Sequence, residues 1–259
     1  MKKAFTAIGC IALTAAFAVG AAACNLFEGA THSNLKKEGW EEIVEYAGNI
    51  KAYRTILTTE CTGQDLISET FEADAERPQP RFHYQKLGNA AGTLAEEYIE
   101  MDSDQDSFRY SFDYSEQAQM WRWIKWNATP SDGEKDAAVT AFKTEYDLRV
   151  EMLNILFYPE GNSDGVDLKG LYDYLKYSGG KWKGDMAFNL SDALYQGSVE
   201  VENMPDNIES FRKNSTGLLF RLKLKTTTEG VTFQWTYDIQ GCTNGFITTL
   251  PANAEFISD

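Results

Sequence analysis

Histidine is the side chain that most often moves protons in catalysis, and the chain has two, His32 and His83. His32 lies in a polar stretch ahead of the first predicted helix and is interpreted as a solvated linker residue. A Ser-His-Asp or Cys-His arrangement would therefore have to use His83, for which a structural or surface role is the better interpretation. No HExxH or Gly-rich phosphate-loop motif is present. The sequence thus predicts a protein that is not an enzyme.

Carboxylates are the other candidate groups. Glu97 and Asp113 could form an acid/base pair, but among 39 acidic residues such pairs arise by chance. The stretch DSDQDS, 102–107, has aspartates at the first, third and fifth positions of an EF-hand loop. The sixth position is Ser107 instead of Gly, and the twelfth is Asp113 instead of Glu, so a solvated turn is favoured over a weak Ca²⁺ site. We expect no metal and no other cofactor.

Cys24 stands at the end of a segment that predicts export. Lys2 and Lys3 give a positive start, and 4–23 is apolar and carries no charge. This is the layout of a secretory signal peptide. An uncleaved membrane helix is the alternative, since about 20 predominantly apolar residues can span a bilayer. The small residues of 20–23 favour cleavage.

The run Ala21-Ala22-Ala23 followed by Cys24 resembles the lipobox of bacterial lipoproteins, although the usual motif has Leu at the position of Ala21. The resemblance implies that the Cys24 thiol is acylated and becomes the mature N-terminus. It implies a signal peptide over 1–23, a lipidated tether over 24–33 and a single domain over 34–259. Cys10 also fits the local pattern, but its preceding apolar stretch is too short.

A lipidated Cys24 would place the protein on the outward face of the bacterial cell membrane, because a diacylated cysteine holds a protein stably at a bilayer. The formal net charge is −15 at pH 7. Cleavage would remove Lys2 and Lys3 and make the charge more negative. Such a surface repels phosphate backbones and anionic headgroups, so nucleic acid is not an expected partner. Contact with the membrane is expected to come from the lipid alone.

Cys61 and Cys242 are the remaining candidates for a covalent bond. An even pair in an exported chain predicts a disulfide, and two buried free thiols are the alternative. Neither cysteine has a Cys or His neighbour at ligand spacing, which disfavours a metal site.

Hydrophobic periodicity supplies the elements that must position these groups. A helix is predicted over 34–49, with Trp40 as a core residue. A long helix is predicted over 131–157, opened by a capping box of Ser131 and Glu134, and a shorter one over 167–177. Alternation predicts strands at 51–60, 93–101, 107–115, 181–190, 197–203, 207–213, 218–225, 231–239 and 246–251.

Strands interrupted by a helical insert predict an α+β fold: a curved, mostly antiparallel sheet (a half-barrel) with helices covering its apolar face. The order of lipobox cysteine, tether, Trp40 helix, strand opening NIKAYRT, hairpins, helical insert and terminal TTLP resembles the half-barrel superfamily of lipoprotein carriers of the Lol type. The resemblance implies that an acyl chain or another apolar ligand binds between sheet and helices.

Two alternating regions carry aromatic residues that we expect to line such a site for an apolar or amphiphilic ligand. They are Phe108, Tyr110, Phe112, Tyr114, Phe220, Phe233, Trp235 and Tyr237. Several tyrosines suit a cavity with a wet end better than a dry core, because buried hydroxyls need partners. The alternative is that these side chains only pack against the helical insert and leave no cavity.

The stretch WRWIKW, 121–126, suggests a rival function. Alternation places Trp121 and Trp123 on one face and Trp126 on the other. If they are exposed, these indoles could form a carbohydrate- or protein-binding surface. Burial beneath helices is the more usual fate of tryptophan.

Overall fold

The computed structural model describes residues 34–76, 80–89, 91–101, 107–115, 120–127, 135–209, 217–242 and 253–256. They form a sheet whose strands are β1 Ala52–Cys61, β2 Ile67–Asp74, β3 Arg81–Gly88, β4 Gly92–Met101, β5 Ser107–Ser115, β6 Met120–Asn127, β7 Leu156–Tyr158, β8 Lys176–Ser178, β9 Lys181–Leu190, β10 Ala193–Glu202, β11 Gly217–Thr228, β12 Val231–Gly241 and β13 Glu255–Phe256.

The 13 strands follow the order β13-β6-β5-β4-β3-β2-β1-β12-β11-β10-β9-β7, with β8 paired to β9. The β13–β6 pair is parallel, and the other described pairs are antiparallel. Among the described strands this path does not close. The predicted mostly antiparallel sheet with a few helices is therefore present, and it has more strands than alternation indicates.

The first described helix, α1, spans Lys37–Asn49 and confirms the prediction over 34–49. Its buried residues are Trp40, Ile43, Val44 and Ala47. The Trp40 ring meets Trp182 edge-on at 5.6 Å, and its Nε1 donates to the carbonyl of Leu168 at 3.0 Å. Trp40 is thus a core residue whose one polar atom is satisfied.

The long helix predicted over 131–157 is wrong in its extent. The described chain instead forms α2 Lys135–Tyr146 and α3 Leu148–Leu153, and then enters strand β7. Asp147 separates the helices because its side chain caps α3, accepting from the backbone N–H of Arg149 at 3.1 Å. An N-cap residue has non-helical backbone, so one residue divides a pattern that looks continuous.

Two other predicted elements differ from the structure. The helix predicted over 167–177 is reduced to a 3-10 turn, Gly170–Tyr174, followed by strand β8. In the strand predicted over 207–213, Ile208 and Glu209 are helical, and the rest lies outside the described residues. The strand predicted over 246–251 also lies outside them.

The hairpin β11–β12 is confirmed, including its turn. Glu229 and Gly230 have φ of 52° and 81°, the two positive values that a two-residue type I′ turn requires. Phe220, Leu222 and Leu224 are fully buried. None of the described helices is long and apolar enough to cross a membrane.

The two faces of the sheet have different partners. We call the face that carries Phe71, Leu222 and Tyr237 the inner face, and the opposite one, with Glu72 and His83, the outer face. Rings of α2 contact the inner face: Phe142 lies 6.3 Å from Phe71. Residues on the inner face are therefore the ones that can enclose a site together with α2 and α3.

Candidate functional site

A pocket of about 350 Å³ opens between the inner face and helices α2 and α3. Strands β1, β2, β3, β9 and β12 contribute to it, as does the turn after β9. Its lining residues are Leu57, Thr59, Glu69, Tyr84, Glu145, Tyr146, Leu148, Glu151, Leu190, Ser191, Trp235 and Tyr237. It is therefore rich in aromatic rings and carboxylates, and none of these described lining residues is basic.

Two stacked tyrosines form one wall of the pocket. The rings of Tyr84 and Tyr146 lie 4.2 Å apart. Tyr84 donates to Oε1 of Glu69 at 2.5 Å, and Tyr146 donates to Oε1 of Glu97 at 3.0 Å. Burial and the bond to Glu69 raise the pKa of Tyr84, so its hydroxyl stays protonated. Their hydrogen bond holds the Tyr84 ring and the Glu69 carboxylate in place.

Trp235 and Tyr237 of β12 form the opposite wall. Trp235 is half-buried and packs on Tyr195, with ring centroids 5.1 Å apart. Tyr237 is fully buried. Burial raises the pKa of Tyr237, and the nearby Glu151 carboxylate raises it further. The Tyr237 hydroxyl is fully buried and lies within hydrogen-bonding reach of the Glu151 carboxylate.

Three carboxylates reach the pocket: Glu69 from β2, Glu145 from α2 and Glu151 from α3. Glu69 is already occupied, since Lys86 Nζ lies 3.3 Å from its Oε1 in addition to the Tyr84 bond. Burial raises the pKa of Glu151, and the charge of Glu69 adds to that effect. Glu151 is thus a partly desolvated acid that a bound cation would stabilise in its charged form.

The eight aromatic residues predicted to line one site do not share a face. Opposed positions in adjacent antiparallel strands lie on the same face. One such row runs across the sheet through Gln240, Arg54, Glu72, His83, Tyr98 and Tyr110. Tyr110 therefore lies on the outer face, whereas Tyr237, an odd number of positions from Gln240, lies on the inner face.

The prediction is accordingly wrong as a single lining. Trp235 and Tyr237 line the pocket. Phe220 is buried in the core and Phe233 is half-buried beside Trp235, but neither lines it. Phe108, Phe112 and Tyr114 each lie an even number of positions from Tyr110 in β5, so they share its outer-face register. Their side chains lie outside the described residues.

The predicted disulfide is also wrong. Cys61 and Cys242 are free thiols. Cys61 pairs in register with Phe233, near the start of β12, whereas Cys242 follows Gly241, which pairs with Tyr53 at the other end of β1. A separation of eight residues along a strand is about 26 Å, far beyond the roughly 7 Å that a disulfide tolerates between Cα atoms.

His83 lies on the outer face, away from the pocket, and is buried. Its Nδ1 is 2.9 Å from Glu72 and its Nε2 is 3.1 Å from Glu96, while Arg54 donates to Glu72 at 2.6 Å. The imidazole stacks on Tyr98 at 4.2 Å. Both ring nitrogens are engaged by carboxylates, which supports the structural role.

The remaining candidates can be placed only in part. Trp123 is half-buried, 5.5 Å from the Tyr98 ring, whereas the side chains of Trp121, Trp126 and Asp113 lie outside the described residues. So do Cys24, His32 and the aspartates of 102–106. Within the described ranges no three His, Cys, Asp or Glu side chains meet as a metal site.

Sequence reasoning missed Glu69, Tyr84 and Glu151. Strand β2 carries acidic residues on both of its faces, Glu69 inside and Glu72 outside, so it lacks the apolar alternation that predicts a strand. Glu151 lies within the predicted helix, but the sequence does not show which surface that helix packs against. Only the pairing of distant strands brings these residues together.

No protein-family model matches the chain, and no curated protein matches it. Among solved structures, a DUF1329 family protein from Desulfovibrio piger is similar, with 9% sequence identity over 82% of this chain and 94% of that chain and a TM-score of 0.26. This similarity is distant and assigns no function. The comparisons give no link to carriers of the Lol type.

Proposed function

We propose that the protein is an exported lipoprotein, anchored through acylated Cys24, that binds a compact amphiphilic ligand in the pocket of the inner face and catalyses no reaction on it. The observation that carries the binding proposal is the pocket itself, with Trp235 and Tyr237 on one wall and the Tyr84–Tyr146 stack on the other. The lipobox pattern at Cys24 carries the anchoring proposal.

The size and lining of the pocket support a small ligand. At about 350 Å³ it is at the lower end of the 300–1,000 Å³ typical of ligand sites. Leucines and aromatic rings offer apolar contact, and the carboxylates and hydroxyls offer polar contact at the same place. An amphiphilic molecule with a short apolar part fits this lining better than a fully apolar one.

Tyr237 contributes a rigid wall to the site. Its ring lines the pocket, and its buried hydroxyl lies beside the Glu151 carboxylate, which holds it in place. In this proposal the sheet is the wall of a half-barrel and α2 and α3 are its cover, as in the carriers that the sequence resembles.

A pocket-filling variant tests the proposal. Thr59 of β1 lines the pocket, and Thr58 is its neighbour on the outer face, so Thr59→Trp is matched by Thr58→Trp. The full chain is expressed in a bacterial host, purified, extracted with organic solvent and analysed by mass spectrometry. We expect a small amphiphile from the wild type and from Thr58→Trp, and its loss from Thr59→Trp. Identical extracts from all three proteins would overturn the proposal.

A further inference from the structure

We propose that the outer face of strands β8–β11 lies on the anionic lipid headgroups of the bilayer that holds the acylated Cys24. The inference rests on the anchoring function proposed above and adds a second membrane contact, which orients the domain on the bilayer. Six basic side chains of that face would make this contact, and we call them the basic patch: Lys176, Lys181, Lys183, Arg221, Lys223 and Lys225.

The first support is the local charge of this face. Strand pairing places the basic patch on one side of the sheet, where the acidic residues at the described positions of β8–β11 are Asp185, Glu200 and Glu202. The expectation of contact through the lipid alone follows from the net charge of −15, which does not show how the charges are distributed. Because salt screens charges beyond about 8 Å, a headgroup at this face meets the local positive charge rather than the distant acidic residues.

The second support is that half of the basic patch lacks a counter-charge. The other three side chains are paired with acidic residues, whereas Lys176, Lys183 and Lys225 make no ion pair within the described ranges. Lys176 and Lys183 oppose each other directly in the antiparallel β8–β9 ladder, an arrangement in which like charges destabilise a sheet. Anionic groups from outside the protein would balance both charges.

The third support is the place where the tether meets the domain. The carbonyl of Leu35 accepts from the Tyr172 hydroxyl at 3.1 Å, and the helix that follows packs Trp40 on Trp182 of β9, with ring centroids 5.6 Å apart. Trp182 lies between two lysines of the basic patch, on the opposite side of the same strand. Because β8 pairs only with β9 among the described strands, and because the ten residues of 24–33 reach at most about 36 Å, the tether is long enough to pass this edge.

Two exposed leucines on the same face favour a bilayer over a soluble polyanion. Leu156 and Leu194 flank Asn189 in one cross-strand row, and Asn189 lies an even number of positions from Lys183, so both leucines share the face of the basic patch. Both are exposed. Binding of a protein face to a membrane increases with its apolar area as well as with its charge, whereas a soluble polyanion would offer the leucines no apolar environment.

The reactivity of lysines on vesicles tests this inference. The full chain is expressed in a bacterial host, purified and reconstituted into vesicles of phosphatidylcholine or of an equal mixture with phosphatidylglycerol. A water-soluble acetylating reagent and peptide mapping by mass spectrometry then measure the rate at each lysine. We expect Lys176, Lys183 and Lys225 to react about fivefold more slowly on the mixed vesicles, and this protection should be lost at high salt. Lys51, an exposed residue outside the basic patch, is the internal control and should react equally on both.

A charge reversal assigns the protection to the basic patch. Lys176→Glu would replace the like-charge contact with Lys183 by an ion pair within the sheet, so the thermal midpoint should not fall. We expect the protection of Lys183 and Lys225 on the mixed vesicles to drop to about twofold or less. Lys51→Glu makes the same change of charge elsewhere and should leave the protection at the wild-type value. Full protection in Lys176→Glu would overturn the assignment to this face.

The outcomes separate the two proposals. If the chain floats with both kinds of vesicle but the three lysines react equally on them, the docking face is overturned while membrane anchoring stands. If the chain does not associate with phosphatidylcholine vesicles, the anchoring function and the docking face are both overturned. If soluble polyphosphate protects the three lysines as well as the mixed vesicles do, the basic patch binds polyanions in solution and the membrane assignment is overturned.

Discussion

His83 makes the stability of the sheet depend on pH. Burial lowers its pKa, but the bonds to Glu72 and Glu96 outweigh burial and raise it above 6.5. For Glu72, burial raises the pKa, but the bonds to His83 and Arg54 outweigh it and bring it below 4.5. The His83 contribution is thus complete below its unfolded pKa and is lost as pH rises through the folded value. The Glu72 contribution is complete above 4.5 and is lost as pH falls through its folded value.

Replacing His83 by Gln is expected to lower the free energy of unfolding by about 3 kcal/mol at about pH 5.5, because the buried Glu72 loses a charged partner. The difference from the wild type should shrink at about pH 9, because the His83 contribution is lost as pH rises through its raised folded-state pKa. Urea denaturation at the two pH values measures it. Glu60→Gln, at an exposed position of β1, is the control and should cost within about 0.5 kcal/mol. A loss that is equal at both pH values would contradict the ion-pair explanation.

Cys242 is a free thiol that burial protects. Burial raises its pKa to about 11, and since the thiolate is the reactive form, alkylation in the folded protein should be slow. We expect iodoacetamide to modify Cys242 at least about tenfold more slowly in the native chain than in urea. Peptide mapping by mass spectrometry measures both rates. Recovery of a peptide pair joined through Cys61 would contradict the free-thiol state.

At the scale of elements, Asp147 joins helix to sheet. It caps α3 through the backbone N–H of Arg149 and accepts from the buried Tyr53 hydroxyl at 2.5 Å. Arg149 in turn lies over the Tyr53 ring at 3.9 Å and donates to the carbonyl of Ile50 at 2.7 Å. The Asp147 carboxylate therefore ends α2 and holds α3 against β1.

Asp147→Ala is expected to lower the free energy of unfolding by about 3 kcal/mol, because it removes a helix cap worth about 1 kcal/mol and a buried charged hydrogen bond worth about 2. Asp147→Asn keeps an acceptor for both bonds and should cost about half as much. Chemical denaturation followed by circular dichroism measures both values. Equal costs for the two variants would show that the hydrogen-bond acceptor is not what matters.

What sequence predicts about these elements depends on how local the information is. The β11–β12 hairpin is predictable because its alternation and its Glu229-Gly230 turn lie in adjacent residues. The break at Asp147 is missed because a cap interrupts the helical period for one residue only. The relation between the faces of β5 and β12 is missed for another reason. Alternation separates the two sides of each strand but does not relate one strand to another. Tyr110 and Tyr237 are seen to lie on opposite faces only once the pairing through β4, β3, β2 and β1 is known.

At the scale of the whole molecule, charge is distributed unevenly between the faces. The outer face of the C-terminal strands carries cross-strand ion pairs: Lys223 with Glu202 at 2.9 Å, Arg221 with Asp238 at 2.5 Å, and Lys181 with Glu200. Such partly exposed pairs contribute little to stability, about 0–1 kcal/mol each. They leave a solvated, charged surface along this part of the described outer face.

In the proposed function, membrane attachment depends on acylation of Cys24, because a protein with a net charge of −15 is repelled by anionic headgroups. We expect the wild-type chain, produced in a bacterial host fed a labelled fatty acid, to incorporate the label and to float with membranes in a density gradient. Cys24→Ala should abolish labelling, and Cys10→Ala, the control at the alternative cysteine, should leave it unchanged.

Since a diacylated cysteine suffices for stable anchoring, the label and flotation should be lost together if the signal segment is still removed. Flotation that persists in Cys24→Ala without label would indicate that residues 4–23 remain as a membrane helix, and labelling equal to the wild type would show that Cys24 is not the acylated residue.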